Sequence, residues 1–181
     1  PPSTHPLSCQ LIRELSVSYT ITLDEIAVRN LVNAVSWPQP YYLQVAFQQL
    51  RSLIAANPAT PPQELIDTAI EQLTQPGADN DFHHWEGRLD TQLGTSLAAL
   101  ARALLTQSAT HPGGTRAENL LATVQQRHPD ATDDEARALF VRLRDILLRD
   151  AYWLVDDSSG SRHYRFALEP LRRWWHRRNS L

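Results

Sequence analysis

Apolar residues recur at helical spacing along most of the chain, which predicts a mainly helical protein. Runs at about 23–35, 40–56 and 62–74 each place their apolar residues on one face of a helix. A short aromatic helix is predicted around Phe82–Glu86. Proline-containing segments separate these runs, because a residue that precedes proline disfavours helical backbone. Residues 1–92 therefore predict a small helical bundle, after a flexible lead-in at Pro1–Thr4.

A second pattern begins near Gly94. A helix is predicted to follow it and to end before His111, and two more are predicted at about 116–128 and 133–149. The aromatic and β-branched runs Tyr152–Val155 and His163–Phe166 then flank a turn rich in Asp, Ser and Gly, which is typical of a β-hairpin. A last helix is predicted from about Pro170. Residues 93–181 therefore predict a winged helix with a short β-hairpin wing and a closing helix.

Helix starts carry a recurring sequence signal. A capping box places Thr before a helix and Glu or Gln three residues later, so that each side chain satisfies a backbone N–H group. The pattern predicts four such boxes, at Thr22/Glu25, Thr60/Gln63, Thr115/Glu118 and Thr132/Glu135.

Composition changes the picture in three respects. All 17 basic residues are Arg, so the chain cannot supply the Lys of a P-loop. Cys9 is the single cysteine, which excludes an internal disulfide and favours a cytoplasmic location. Because the chain has no Met and no apolar run of membrane-spanning length, we expect a piece of a longer protein that lies outside the membrane.

The sequence contains no catalytic or metal-binding constellation. His83 and His84 are adjacent, so on a helix they point about 100° apart and cannot share a metal ion. Trp153–Asp157 imitates the strand that delivers an acid to magnesium in ATPases, but the turn residues after it favour a wing hairpin. We therefore expect neither an enzyme nor a metal site.

Positive charge is concentrated in the second half of the chain. Residues 1–100 have a net charge of −6, and residues 101–181 have a net charge of +3. On the third helix of the winged unit, acids interleave with Arg, and Asp145 is spaced to pair with Arg142 and Arg149. The acidic N-terminal end of this helix argues against insertion into a DNA groove.

The better candidates for phosphate or DNA binding lie on the wing and the closing helix. They are Arg162, Arg165, Arg172, Arg173, Arg177 and Arg178. The competing interpretation of these residues is a solvated basic tail.

Three segments resemble a known family in order and spacing. Tyr164–Trp175 resembles the end of the winged-helix domain in prokaryotic AAA+/STAND-type ATPases of the archaeal-ATPase-like group. Pro38–Gln44 is similar to the lid segment of that family, and Phe82–Leu89 is similar to the stretch that joins lid and winged helix. The resemblance spans about residues 7–178.

The resemblance implies a non-catalytic regulatory part of a signalling or defence ATPase, in which an AAA+ lid-like bundle and a winged helix relay nucleotide state. It implies an upstream nucleotide-binding domain as partner, ATP or ADP in the full-length protein, and Pro40 and Tyr41 as lid residues near the nucleotide. Pro38 replaces the glycine of the family, and Tyr41 and Tyr42 stand where a sensor Arg would follow. The alternative is a stand-alone winged-helix transcriptional regulator that binds DNA through its wing and closing helix.

Overall fold

The structure is a computed structural model that describes residues 6–37, 39–75, 78, 82–157 and 160–179. Several predicted features lie outside the described residues: the lead-in Pro1–Thr4, Pro38 of the lid segment, the loop residues Pro76, Gly77, Asp79 and Asn80, and the turn residues Ser158 and Ser159.

The described residues form eight helices and three short strands. The helices are α1 (Pro6–Ser18), α2 (Glu25–Val35), α3 (Pro40–Ala56), α4 (Pro62–Leu73), α5 (Phe82–Ala109), α6 (Ala117–Arg127), α7 (Asp133–Arg149) and α8 (Glu169–Asn179). The strands are β1 (Thr115–Arg116), β2 (Trp153–Asp156) and β3 (His163–Phe166). The predicted fold class is confirmed: the protein is mainly helical, with a helical bundle followed by helices and a small antiparallel sheet that carries the wing.

Two compact units divide the chain. One contains the described residues of Pro1–Asn80 together with Leu168–Pro170, and the other contains those of Asp81–Ala167 and Leu171–Leu181. The division therefore precedes α5, whereas the sequence pattern placed the boundary near residue 92, within that helix.

The first unit is built on α3, which packs against α1, α2 and α4. Its apolar stripe is buried completely or nearly so at Leu43, Phe47 and Leu50, as the helical spacing predicts. Helix α1, which the sequence pattern did not predict, is joined to α2 by two hydrogen bonds of 2.8 Å from the Arg13 guanidinium to the Glu25 carboxylate.

The second unit has the helix and strand order of a winged helix. Strands β1 and β2 pair antiparallel with the two sides of β3. The sequence pattern predicted the β2–β3 hairpin but not β1, which has only two residues. Helix α5 consists of two helical segments that meet at a kink, where Gly94 has a non-helical backbone conformation, and the sequence pattern predicted two helices divided near this residue.

One of the four predicted capping boxes forms, at Thr132 and Glu135. The other three predictions were wrong, and each has a physical reason. Asp24 caps α2 in place of Thr22, because its carboxylate accepts from the Ala27 N–H at 2.7 Å. Helix α4 starts with Pro62 preceded by Pro61, and Thr115 is buried in β1.

The buried Tyr152 makes the stability of the second unit depend on pH in the alkaline range. Its hydroxyl donates to the Trp85 carbonyl oxygen at 2.6 Å, and burial raises the pKa of Tyr152 from its ordinary value of about 10 to about 12. The unfolded chain therefore loses this proton first, so that stability present below pH 10 falls as the pH rises towards 12.

We expect this loss to reach about 2–3 kcal/mol, since one pKa unit is worth about 1.4 kcal/mol. Urea unfolding at several pH values between 10 and 12 measures it, and the absence of Lys removes the usual groups that titrate there. Tyr152→Phe should flatten this part of the pH dependence. If the free energy of unfolding fell equally with pH in the wild type and in Tyr152→Phe, the raised pKa of Tyr152 would be contradicted.

Candidate partner-binding and nucleic-acid surfaces

The lid segment suggested by the resemblance lies at the start of α3 in the first unit. Pro40 is the first residue of the helix and is exposed. Tyr41 is 43% exposed, whereas the neighbouring Tyr42 is buried, and the two rings meet edge to face with centroids 5.0 Å apart. Tyr41 therefore presents an aromatic ring at the surface of the unit.

Two of the six predicted arginines lie on the wing. Arg162 is exposed, and its Nε lies 3.3 Å from Asp157 Oδ1. Arg165 is partly exposed on β3, opposite Leu154 of β2. Because side chains alternate along a strand, Arg165 occupies the face of β3 away from the buried Tyr164 and Phe166.

The other four predicted arginines lie on α8 and differ in their surroundings. Arg172 is buried, and its Nη1 donates to the carbonyl oxygen of Ala109, the last residue of α5, at 2.7 Å. Arg178 is exposed, binds Glu86 at 3.0 Å and lies over the Trp174 ring. Arg173 and Arg177 are partly exposed. The predicted set is therefore not one continuous surface.

Arg172 stabilises the second unit by satisfying a carbonyl at the C-terminal end of a helix, where intrahelical donors run out. We expect Arg172→Gln to lower the free energy of unfolding by about 2–3 kcal/mol, the value of a hydrogen bond that involves a charged group. Chemical denaturation followed by Trp fluorescence measures the loss.

Arg178→Gln is the matched control, since an exposed ion pair contributes at most about 1 kcal/mol. Equal unfolding midpoints for the two variants would show that Arg172 has no structural role.

The arginines of α7 pair differently from the prediction. Arg144 donates to Asp145 through Nε and Nη2, at 2.8 and 2.7 Å, and Arg149 donates to Asp150 at 2.9 Å. The predicted pairs of Asp145 with Arg142 and Arg149 were wrong, because Arg144 occupies Asp145 and Arg149 turns to Asp150. Arg142 and Arg137 are exposed and make no ion pair within the described part of the chain.

A groove of about 470 Å³ lies between α7, the wing and the start of α6. Its lining includes two aromatic side chains and two arginines. It is lined by Ala117, Phe140, Arg144, Asp157, Gly160, Ser161, Arg162 and Tyr164. The sequence pattern had assigned Arg144 and Arg162 to separate elements, and nothing in it indicated that they converge.

The two histidines of the aromatic helix differ in their contacts. The His83 ring meets the Trp174 ring edge to face at 5.1 Å, and His84 is exposed. Over the described residues, no group of three or more His, Cys, Asp and Glu side chains could hold a metal ion. Nor does any helix in this part of the chain combine the length and apolar character needed to cross a bilayer.

Comparison of the chain with protein-family models, with curated proteins and with solved structures finds no match.

Proposed function

We propose that the chain is a non-catalytic regulatory part of a STAND or AAA+ signalling or defence ATPase of the cytoplasm. In this role the helical bundle is the lid, and the winged helix relays the nucleotide state to the rest of the protein. The partner is an upstream nucleotide-binding domain that holds ATP or ADP. Two features support the proposal: the resemblance of the three segments, and the order of a helical bundle and a winged helix along the chain.

The observation that carries the proposal over its rival is the use of the arginines. Arg172 is buried and donates to the Ala109 carbonyl oxygen, and Arg178 binds Glu86 and lies over the Trp174 ring. Two of the four arginines of α8 offered for phosphate or DNA binding therefore contact the second unit itself. This favours a winged helix that contacts protein over one that reads DNA.

Tyr41 is the exposed aromatic residue of the lid segment, and its proposed role is to contact a nucleotide or its domain. In the complete gene product, Tyr41→Ala should weaken nucleotide binding at least about tenfold, because stacking on an aromatic ring contributes about 1–3 kcal/mol. Val17→Ala is the control, since Val17 is 81% exposed in the same unit. Equal nucleotide affinity in both variants would count against the lid assignment. Turnover of ATP by the present chain alone would refute the non-catalytic role.

A second candidate function is a stand-alone regulator that binds DNA. It is favoured by the wing, where Arg162 is exposed and Arg165 is partly exposed. In this case a DNA mobility shift appears at low salt and disappears as salt rises. Arg162→Ala with Arg165→Ala should then weaken binding to all DNA sequences, whereas Arg29→Ala in the first unit should not. The absence of a shift at low salt would remove this candidate.

A further inference from the structure

We propose that the groove between α7 and the wing is a phosphate-binding site formed by Arg144, Arg162, Tyr164 and the N-terminal end of α6. The site lies within the second unit and does not depend on the proposed relay function.

The two guanidinium-bearing residues come from different elements and line the same groove. Arg144 comes from α7 and Arg162 from the wing, and Tyr164 of β3 lines the groove with them. A guanidinium group donates hydrogen bonds and accepts none, and a tyrosine hydroxyl can donate one as well. The groove thus combines two positive charges with a neutral donor, an arrangement that fits an anion with several oxygens.

The neighbouring acids occupy only some of the N–H groups of the two arginines. A guanidinium has five N–H groups, and Asp145 engages Arg144 through two nitrogens, while Asp157 engages Arg162 through one. The Arg162–Asp157 contact is long, at 3.3 Å, and both side chains are more than half exposed. Such a pair is weak. An entering phosphate group can therefore compete with Asp157 for Arg162.

The start of α6 adds a third positive contribution. Ala117, its first residue, lines the groove, and the preceding Arg116 provides no side-chain cap. The Ala117 N–H donates to the Arg162 carbonyl oxygen at 3.2 Å, which fixes the wing against the helix end. The N-terminus of an α-helix carries a partial positive charge and favours phosphate. The groove therefore joins the two arginines to the N-terminal end of α6.

The test is a titration of the full chain with inorganic phosphate at constant ionic strength, followed by amide NMR. Saturable shifts are expected at Ala117 and Tyr164. Arg144→Gln and Arg162→Gln should each weaken binding at least about tenfold, as expected for a charge-assisted hydrogen bond. Arg149→Gln is the matched control, because Arg149 pairs with the following acid in the same way but does not line the groove.

Tyr164→Phe gives a further check, since it removes the hydroxyl and keeps the ring that packs against Phe140 and Trp153. It should weaken binding several-fold. Arg162 is exposed, so Arg162→Gln remains informative even if another variant fails to fold. No saturable shift in the wild type would overturn the proposal. An equal effect of Arg149→Gln would also overturn it, because binding would then follow overall charge.

Parallel titrations with ATP and with a short DNA duplex distinguish the source of the phosphate group. Tighter binding of ATP than of phosphate identifies a nucleotide, and tighter binding of the duplex identifies a nucleic-acid backbone. Binding of inorganic phosphate, without binding of ATP or of the duplex, identifies the free ion. In each case the site is supported if Arg162→Gln weakens the binding of that ligand, and it is overturned if Arg162→Gln leaves the affinity unchanged.

Discussion

Replacing Gly114 with alanine is expected to lower the free energy of unfolding of the second unit by about 2–5 kcal/mol. A Cβ atom at this position would lie 2.6 Å from the Tyr164 carbonyl oxygen and 2.8 Å from the Tyr164 carbonyl carbon. Both are backbone atoms of β3, which cannot move without disturbing its pairing with β1 and β2. The φ angle of +85° adds strain, because L-residues rarely adopt it. Overpacking and backbone strain each cost about 1–3 kcal/mol.

Gly113→Ala is the matched control, since a Cβ atom there meets nothing within 4 Å. Urea unfolding followed by Trp fluorescence compares the two variants, and Trp85, Trp153, Trp174 and Trp175 all report on the second unit. Similar midpoints for Gly113→Ala and Gly114→Ala would contradict the close approach of this loop to β3.

Replacing Gly94 with alanine is expected to cost about 1–3 kcal/mol by straining the kink in α5. Gly94 has φ 71° and ψ 164°, a region of backbone conformation open essentially to glycine alone. The kink brings Arg102, from the second half of the helix, against Asp90 and Glu86 in the first half. A straight helix would hold these residues about 18–24 Å apart along its axis, given a rise of 1.5 Å per residue.

Gly87→Ala in the same helix is the control and should stabilise the protein by up to about 1 kcal/mol, because alanine favours regular helix over glycine. The two substitutions therefore change stability in opposite directions. The measurement is again the free energy of unfolding in urea. Stabilisation by Gly94→Ala would show that α5 is continuous at this position.

Long amphipathic helices were predictable from the sequence, and α3 and α7 begin and end where the apolar spacing placed them. Helix α1 was missed because small polar residues occupy part of its buried face. Ser8, Cys9 and Ser16 are buried there beside Ile12, and such a face does not look apolar in sequence. These small residues are buried by contacts with other helices, and the apolar spacing within one helix does not predict such contacts.

The candidate sites were less predictable than the helices. Arg172 was counted as a surface arginine, although it shares a helix face with the buried Trp175 three residues later. Its hydrogen-bond partner, the Ala109 carbonyl oxygen, is 63 residues away in sequence and comes near only when the unit folds. The groove of Arg144 and Arg162 likewise depends on β3, which pairs with both β1 and β2 and contributes Tyr164 to the lining. Charge along the chain showed which half was basic, but not which guanidinium groups were already engaged.

The central claim is that this chain belongs to a nucleotide-driven switch, and the most direct test is the sequence of the natural reading frame upstream of the Pro1 codon. The account predicts a P-loop, Gly-x-x-x-x-Gly-Lys followed by Ser or Thr, within about two hundred residues, roughly the length of one domain. A reading frame that starts close to Pro1, or an upstream segment without this loop, would contradict it.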